Sequence, residues 1–178
     1  QTCALPILAR ELVDLTLGEA RAAIGNLRPP VLDDLGLAGG LASLARSIGQ
    51  LDVDVELTDV RLPDHIELAL YRIAQECLQN VVKHARASNA LLKFAADAEH
   101  ARLEIIDNGI GFDMAFGHKL FRVFSRLHTP GKDDGIGMGL AVVQTIVNRH
   151  RGRIWAEAAE GQGAAFYFSL TPQDSSKA

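Results

Sequence analysis

The apolar residues switch between helical and strand periodicity in an order that leaves few folds open. After Pro63 a long helix is predicted: Ile66, Leu70, Ile73, Cys77, Val81 and Ala85 form one buried stripe, with Asp64 as its cap and Glu67 reaching back from three positions on. Before it, Val53, Val55 and Leu57 alternate with Asp52, Asp54 and Glu56, the period of a strand with one wet face. After it, Ala90 to Ala96 and Arg102 to Ile106 read as two strands joined by the polar turn Asp97 to His100. A second pair, Arg153–Ala158 and Ala164–Leu170, flanks a hairpin turn through Glu160 to Gly163. Between the pairs, Leu140, Val143, Ile146 and Val147 give another helix ending near His150, with Arg149, His150 and Arg151 at its negative end and Gly152 as its stop. Two helices are expected upstream. One runs from Leu8 to Leu27 and closes at Pro29-Pro30; the other follows a turn through Asp33-Asp34, carries Leu37, Leu41, Leu44 and Ile48, and stops at Gly49. Strands grouped in pairs and separated by helices, rather than in regular βαβ alternation, predict an α+β, two-layer sandwich with helices on one face of a mixed sheet.

With 178 residues, 48% of them apolar, the chain has material for one such core. Its formal charge of -4, with no basic run interleaved with aromatics, argues against nucleic acid as a partner. Cys3 and Cys77 have no metal-ligand spacing and no surplus for a disulfide framework, so zinc is not expected and a reducing compartment fits. No stretch approaches the roughly 20 apolar residues that cross a bilayer, so a cytoplasmic segment without membrane contact is expected.

Glycine is concentrated. Seven of the sixteen lie between Gly109 and Gly139, where something needs bare backbone. Just before that window, Asp107-Asn108-Gly109-Ile110-Gly111-Phe112 leaves a strand directly, placing a carboxylate where the next residues offer no side chain to block a flat ligand. At its end, Gly135-Ile136-Gly137-Met138-Gly139-Leu140 precedes a helix, so backbone N–H groups and the positive end of the dipole would meet an anion such as a triphosphate. On the long helix, Glu76, Asn80 and Lys83 share one rim. Each signal has a plain alternative: solvated Arg72–Glu76 and Gln79–Lys83 pairs, an Asn-Gly turn, a flexible loop feeding a helix. The glycines are not a dinucleotide fingerprint, because a loop precedes them and Leu140 occupies the last position; Gly131-Lys132-Asp133 lacks the Ser or Thr of a Walker loop.

Together and in this order, Glu76-x-x-x-Asn80, Asp107-x-Gly109-x-Gly111 and Gly135-x-Gly137-x-Gly139-Leu140 resemble the nucleotide site of the GHKL ATPase superfamily, which includes gyrase, heat-shock chaperones, mismatch-repair ATPases and histidine kinases. Within it, Glu76 to Ala85 is similar to the N box of two-component sensor histidine kinases, Leu27-Arg28-Pro29-Pro30 through Leu37 to the junction before their catalytic domain, and Lys119 to His128 to the phenylalanine box of their nucleotide lid. The resemblance implies ATP and Mg²⁺ as cofactors and protein histidine kinase activity. Asn80 would ligate Mg²⁺, Glu76 would act catalytically through water, and Lys83 and His84 would lie beside the phosphates. Asp107 would accept the adenine amino group beside Gly109, Gly111 and Phe112, and Gly135, Gly137, Met138, Gly139 and Leu140 would form the lid. It further implies 8–30 as the end of a dimerisation helix and 31–171 as the ATPase domain; residues 1–7 are expected to be a non-native or disordered leader and 172–178 a disordered tail. All six histidines fall in or beside the ATPase region, so the phosphoacceptor histidine is expected on a missing upstream domain, making the chain N-terminally truncated. A response regulator receiver domain and, at full length, a homodimer are the implied partners, with the whole protein either free or membrane-anchored. Ala164 and Ala165 stand where the family commonly has Ser or Thr. Two alternatives stay open: a non-catalytic nucleotide-binding or partner-docking module, and a GHKL protein-serine kinase.

Overall fold

The computed structural model describes residues 28–121 and 139–171. The expected helix from Leu8 to Leu27, most of the lid and the tail lie outside these residues. The chain divides into an N-terminal unit, Gln1–Pro30, and a body, Val31–Ala178, and the architecture is that of the body.

Five strands form one mixed sheet: β1 (Asp52–Leu57), β2 (Asn89–Ala96), β3 (Ala101–Asp107), β4 (Arg153–Ala158) and β5 (Ala164–Leu170), in the spatial order β1-β2-β3-β5-β4. β1 and β2 run parallel; β2–β3, β3–β5 and β4–β5 are antiparallel. A parallel pair needs a crossover, and the long helix α2 (Asp64–Asn80) supplies it. With α1 (Pro30–Ser47) and α3 (Gly139–Arg149), α2 makes the helical layer. Leu70, Ile73 and Leu78 of α2 and Val143 and Val147 of α3 are fully buried with Leu92, Phe94, Leu103, Ile105 and Phe168 of the sheet, as the α+β sandwich requires. Burial of each such side chain contributes about 1.5–3 kcal/mol.

Four local expectations change. The turn expected at Asp33-Asp34 lies inside α1, where Asp33 in the first turn complements the dipole; the break comes at Gly36 (φ 67°), which lacks the Cβ that would oppose this conformation. Asp64 is the first helical residue of α2 rather than its cap. The carboxylate of Glu67, almost fully buried, instead accepts the Leu62 N–H at 3.3 Å and pairs with Arg61 at 3.9 Å. The stripe of α2 does run to Ala85, but Val81–Ala85 is a π-turn, closed by the left-handed Arg86 (φ 52°). At the end of α3, Arg151 (φ 52°) supplies the left-handed residue, while Gly152 donates its N–H to the Val147 carbonyl at 2.9 Å. Gly152 is glycine for a different reason: a Cβ there would strike the Ser169 carbonyl.

Candidate functional site

One helical turn apart on α2, the half-buried Glu76 and Asn80 meet the first residue of α3. A Cβ built on Gly139 would stand 2.9 Å from Glu76 Oε2 and 3.6 and 3.7 Å from the two amide atoms of Asn80. Absence of a side chain at Gly139 is what lets the start of α3, with its outward N–H groups, come down onto this carboxylate and amide. The Asn80 Nδ2 atom is buried and has no hydrogen-bond partner among the described residues. A buried amide without a partner costs free energy unless a ligand satisfies it. Leu140 follows, half-buried against the core. Gly135, Gly137 and Met138 lie outside the described residues, as does most of the phenylalanine box.

Asp107 closes β3 and is one of two buried charged residues among those described. Its Oδ1 accepts the Gly109 N–H at 2.8 Å. Burial raises the carboxyl above the usual carboxylate range, while the backbone N–H groups of Gly109 and Ala164 pull it the other way. The loop beyond is held from both sides. Gly109 leaves no room for a Cβ because the Ala85 carbonyl is there, and Ile110 donates its N–H to that same carbonyl at 2.8 Å. Gly111 (φ 59°) sits against the carbonyls of Ala159 and Gly163, and Phe112 is buried against Phe166, ring centroids 6.3 Å apart. On the side where a Cβ would sit, both glycines are filled by protein, so their first job is to seat the loop. Lys83 and His84 lie exposed on the π-turn that follows Asn80. Arg72, on the same helix, donates to Gln75 Oε1 at 2.8 Å.

Two positioning residues were not legible as such. Asn108, which looks like part of a turn, accepts the Ser88 and Asn89 N–H groups at 3.0 Å each and donates to Ser88 Oγ at 2.9 Å, tying the end of β3 to the start of β2. Gly163 (φ 83°) leaves room for the Asp107 carbonyl where its own Cβ would be. Ala164 faces Asp107 across β3 and β5, a backbone pairing that any residue type can make. Among the described residues no three His, Cys, Asp or Glu gather as a metal cluster. Cys77 is buried, and burial first, then Glu76, pushes its thiol far up, the environment of a packing cysteine.

Residues 65–174 match the family model described as histidine kinase-, DNA gyrase B- and HSP90-like ATPase. Among curated proteins, the chain is 33% identical to phytochrome-like protein Cph1 of Synechocystis sp. over 73% of its own length and 18% of that protein's. It is 32% identical to sensor histidine kinase MctS of Rhizobium johnstonii over 84% of its own length and 31% of that protein's, so it spans under a third of either relative. The solved mycobacterial sensor histidine kinase MprB shares the fold, with a TM-score of 0.58 at 23% identity over 77% of this chain and 92% of that one. The full-length ShkA structure in complex with AMPPNP matches with a TM-score of 0.58 at 25% identity over 78% of this chain and 29% of that one. The chain is thus homologous to the catalytic domains of sensor histidine kinases and belongs to the histidine kinase-, DNA gyrase B- and HSP90-like ATPase family.

Proposed function

We propose that this chain is the ATP-binding catalytic domain of a sensor histidine kinase, and that it transfers the γ-phosphoryl group of ATP to a histidine carried by a separate phosphoacceptor domain. The observation that carries this reading is the meeting of Glu76, Asn80 and the start of α3 at Gly139, on a body whose other strand end presents the buried Asp107. Asp107 accepts the exocyclic N–H of adenine with the carboxylate oxygen that Gly109 does not use. The N–H groups at the start of α3 face the phosphates, with Gly135, Gly137, Met138, Gly139 and Leu140 as the lid and Lys83 and His84 nearby as supplementary charge. Glu76 orients the acceptor side through water.

Asn80 fits Mg²⁺ by the chemistry of its side chain: the neutral amide oxygen is a hard donor suited to an ion that keeps several waters, while the buried Nδ2, without a partner among the described residues, would be left to donate to a phosphate oxygen. When bound, the ion neutralises phosphate charge; the residues of the chain hold and orient the nucleotide. The AMPPNP held by the related ShkA structure supports a nucleotide in this fold. We assign residues 31–171 to the ATPase domain and 8–30 to the end of a dimerisation helix. The acceptor domain, a response regulator receiver domain and a second protomer are the partners of the whole kinase. No helix among the described residues is long and apolar enough to cross a membrane, in keeping with a domain that works in the cytoplasm.

The test is transfer from labelled ATP to a separately purified phosphoacceptor domain, with Asn80→Ala alongside. Labelling that needs Mg²⁺ and is lost in Asn80→Ala is the expected result. ATP binding by the folded chain without transfer to any acceptor histidine would reduce it to a nucleotide-binding docking module.

A further inference from the structure

The sheet ends at β4, and among the described residues no strand lies on its outer side. A free edge presents unpaired N–H and C=O groups, a template for another strand. Alternation puts Arg153, Trp155 and Glu157 on one face of β4, all three exposed, while Ala156 on the other face is buried with Phe112 and Ala164. Trp155 is held out by its neighbour: it registers with Tyr167 and stacks on it at 5.1 Å with the rings 12° apart. The Tyr167 hydroxyl in turn donates to Glu157 Oε2 at 3.4 Å. Arg153 has no ion-pair partner among the described residues. A groove of about 510 Å³, lined by Gln144 and Asn148 of α3 and by residues 152–155, includes the first half of the same strand.

The charges along this strand are self-complementary about its centre. Two residues before Trp155 is a cation and two after it is an anion. In an antiparallel pair centred on Trp155, Arg153 falls opposite Glu157 of the partner subunit and Glu157 opposite Arg153 of the partner subunit, flanking a pair of indoles. We infer that the β4 edge docks the β4 edge of a second copy of this chain in that register, a contact separate from any dimerisation helix. A two-fold axis perpendicular to the sheet relates the copies, giving a continuous ten-stranded sheet with both helical layers on one side. Charged residues on an edge strand also serve in many proteins to discourage pairing. Here the signs oppose in the one register that a two-fold axis through Trp155 imposes.

The experiment is sedimentation velocity of the full chain over a concentration series, read together with the emission of Trp155, its only tryptophan. Dimerisation with a concentration-dependent blue shift of that emission is expected. Arg153→Glu places four carboxylates along the seam and Glu157→Arg four cations, so each variant alone should need roughly tenfold or more protein to associate. Mixed in equal amounts, the two variants should dimerise again, because every cross-strand pair is then opposite in sign; recovery on mixing also shows that both are folded. A parent chain that stays monomeric, association indifferent to either substitution, or a mixture that fails to recover would each overturn the inference.

Discussion

Replacing Asp107 by Asn separates the cost of burying a charge from the use made of it. One oxygen of the carboxylate accepts the Gly109 N–H at 2.8 Å, so an asparagine amide places its oxygen there and turns its NH₂ outward. Where adenine offers an N–H, the variant then presents a donor to a donor. Losing a hydrogen bond to a charged acceptor removes about 1.5–3 kcal/mol, so ATP should bind about tenfold to a hundredfold more weakly. Stability should move the other way. Burial raises the folded-state pKa of Asp107 above its unfolded value, so folding is favoured with the proton on. The contribution is full below the unfolded pKa and is lost as pH rises through the folded one, leaving a penalty at neutral pH that Asn does not carry. Calorimetry of Mg²⁺-ATP binding and thermal melts at pH 7 read the two effects independently. A nucleotide whose purine has a carbonyl in place of the amino group should discriminate less against the variant than against the parent. Unchanged ATP affinity in a folded Asp107→Asn chain, or a melting temperature that falls in step with affinity, would refute the assignment.

Other perturbations test how the site is held. Glu67→Ala deprives the Leu62 N–H and Arg61 of a buried acceptor at the start of α2 and should cost about 1–3 kcal/mol in urea unfolding. Gly163→Ala forces a Cβ toward the Asp107 carbonyl at a positive φ; it should lower stability by about 1–3 kcal/mol and weaken ATP binding measured on the folded fraction, though it touches no ligand. His150 stacks on His65 at 5.6 Å, and burial, then His65 and Arg149, lower its pKa below the usual histidine value. The unfolded chain therefore binds the proton more readily, and stability should fall as pH drops from 7 through the unfolded and then the folded pKa of this group. In His150→Gln that part of the slope should be missing from melts taken across pH 5–7.

The strands, and the helices that cover them, were legible because both depend on residues close in sequence. Three of the five strands, β1, β4 and β5, have the bounds that alternation predicts, and the other two run one residue longer at one or both ends. Glycine density was legible too, as a need for bare backbone. What fills each glycine was not, since it comes from far along the chain: Ala85 at Gly109, Ala159 at Gly111, Asp107 at Gly163, Glu76 at Gly139. The same distance hid the π-turn, because a stripe at spacings of three and four does not reveal a turn that widens by one residue. These long-range contacts carry a consequence that no motif does. The end of α2 bears Asn80 and, five residues on, the Ala85 carbonyl that receives Ile110; Ile110 in turn accepts the Gly161 N–H at 2.7 Å, and Gly163 abuts Asp107. The Asn80 amide, the Asp107 carboxylate and the β4–β5 hairpin are thus one backbone-locked assembly. Its rigidity should come from the hairpin as much as from the motif residues, and on the proposed function a substitution at Gly163 should therefore weaken nucleotide binding.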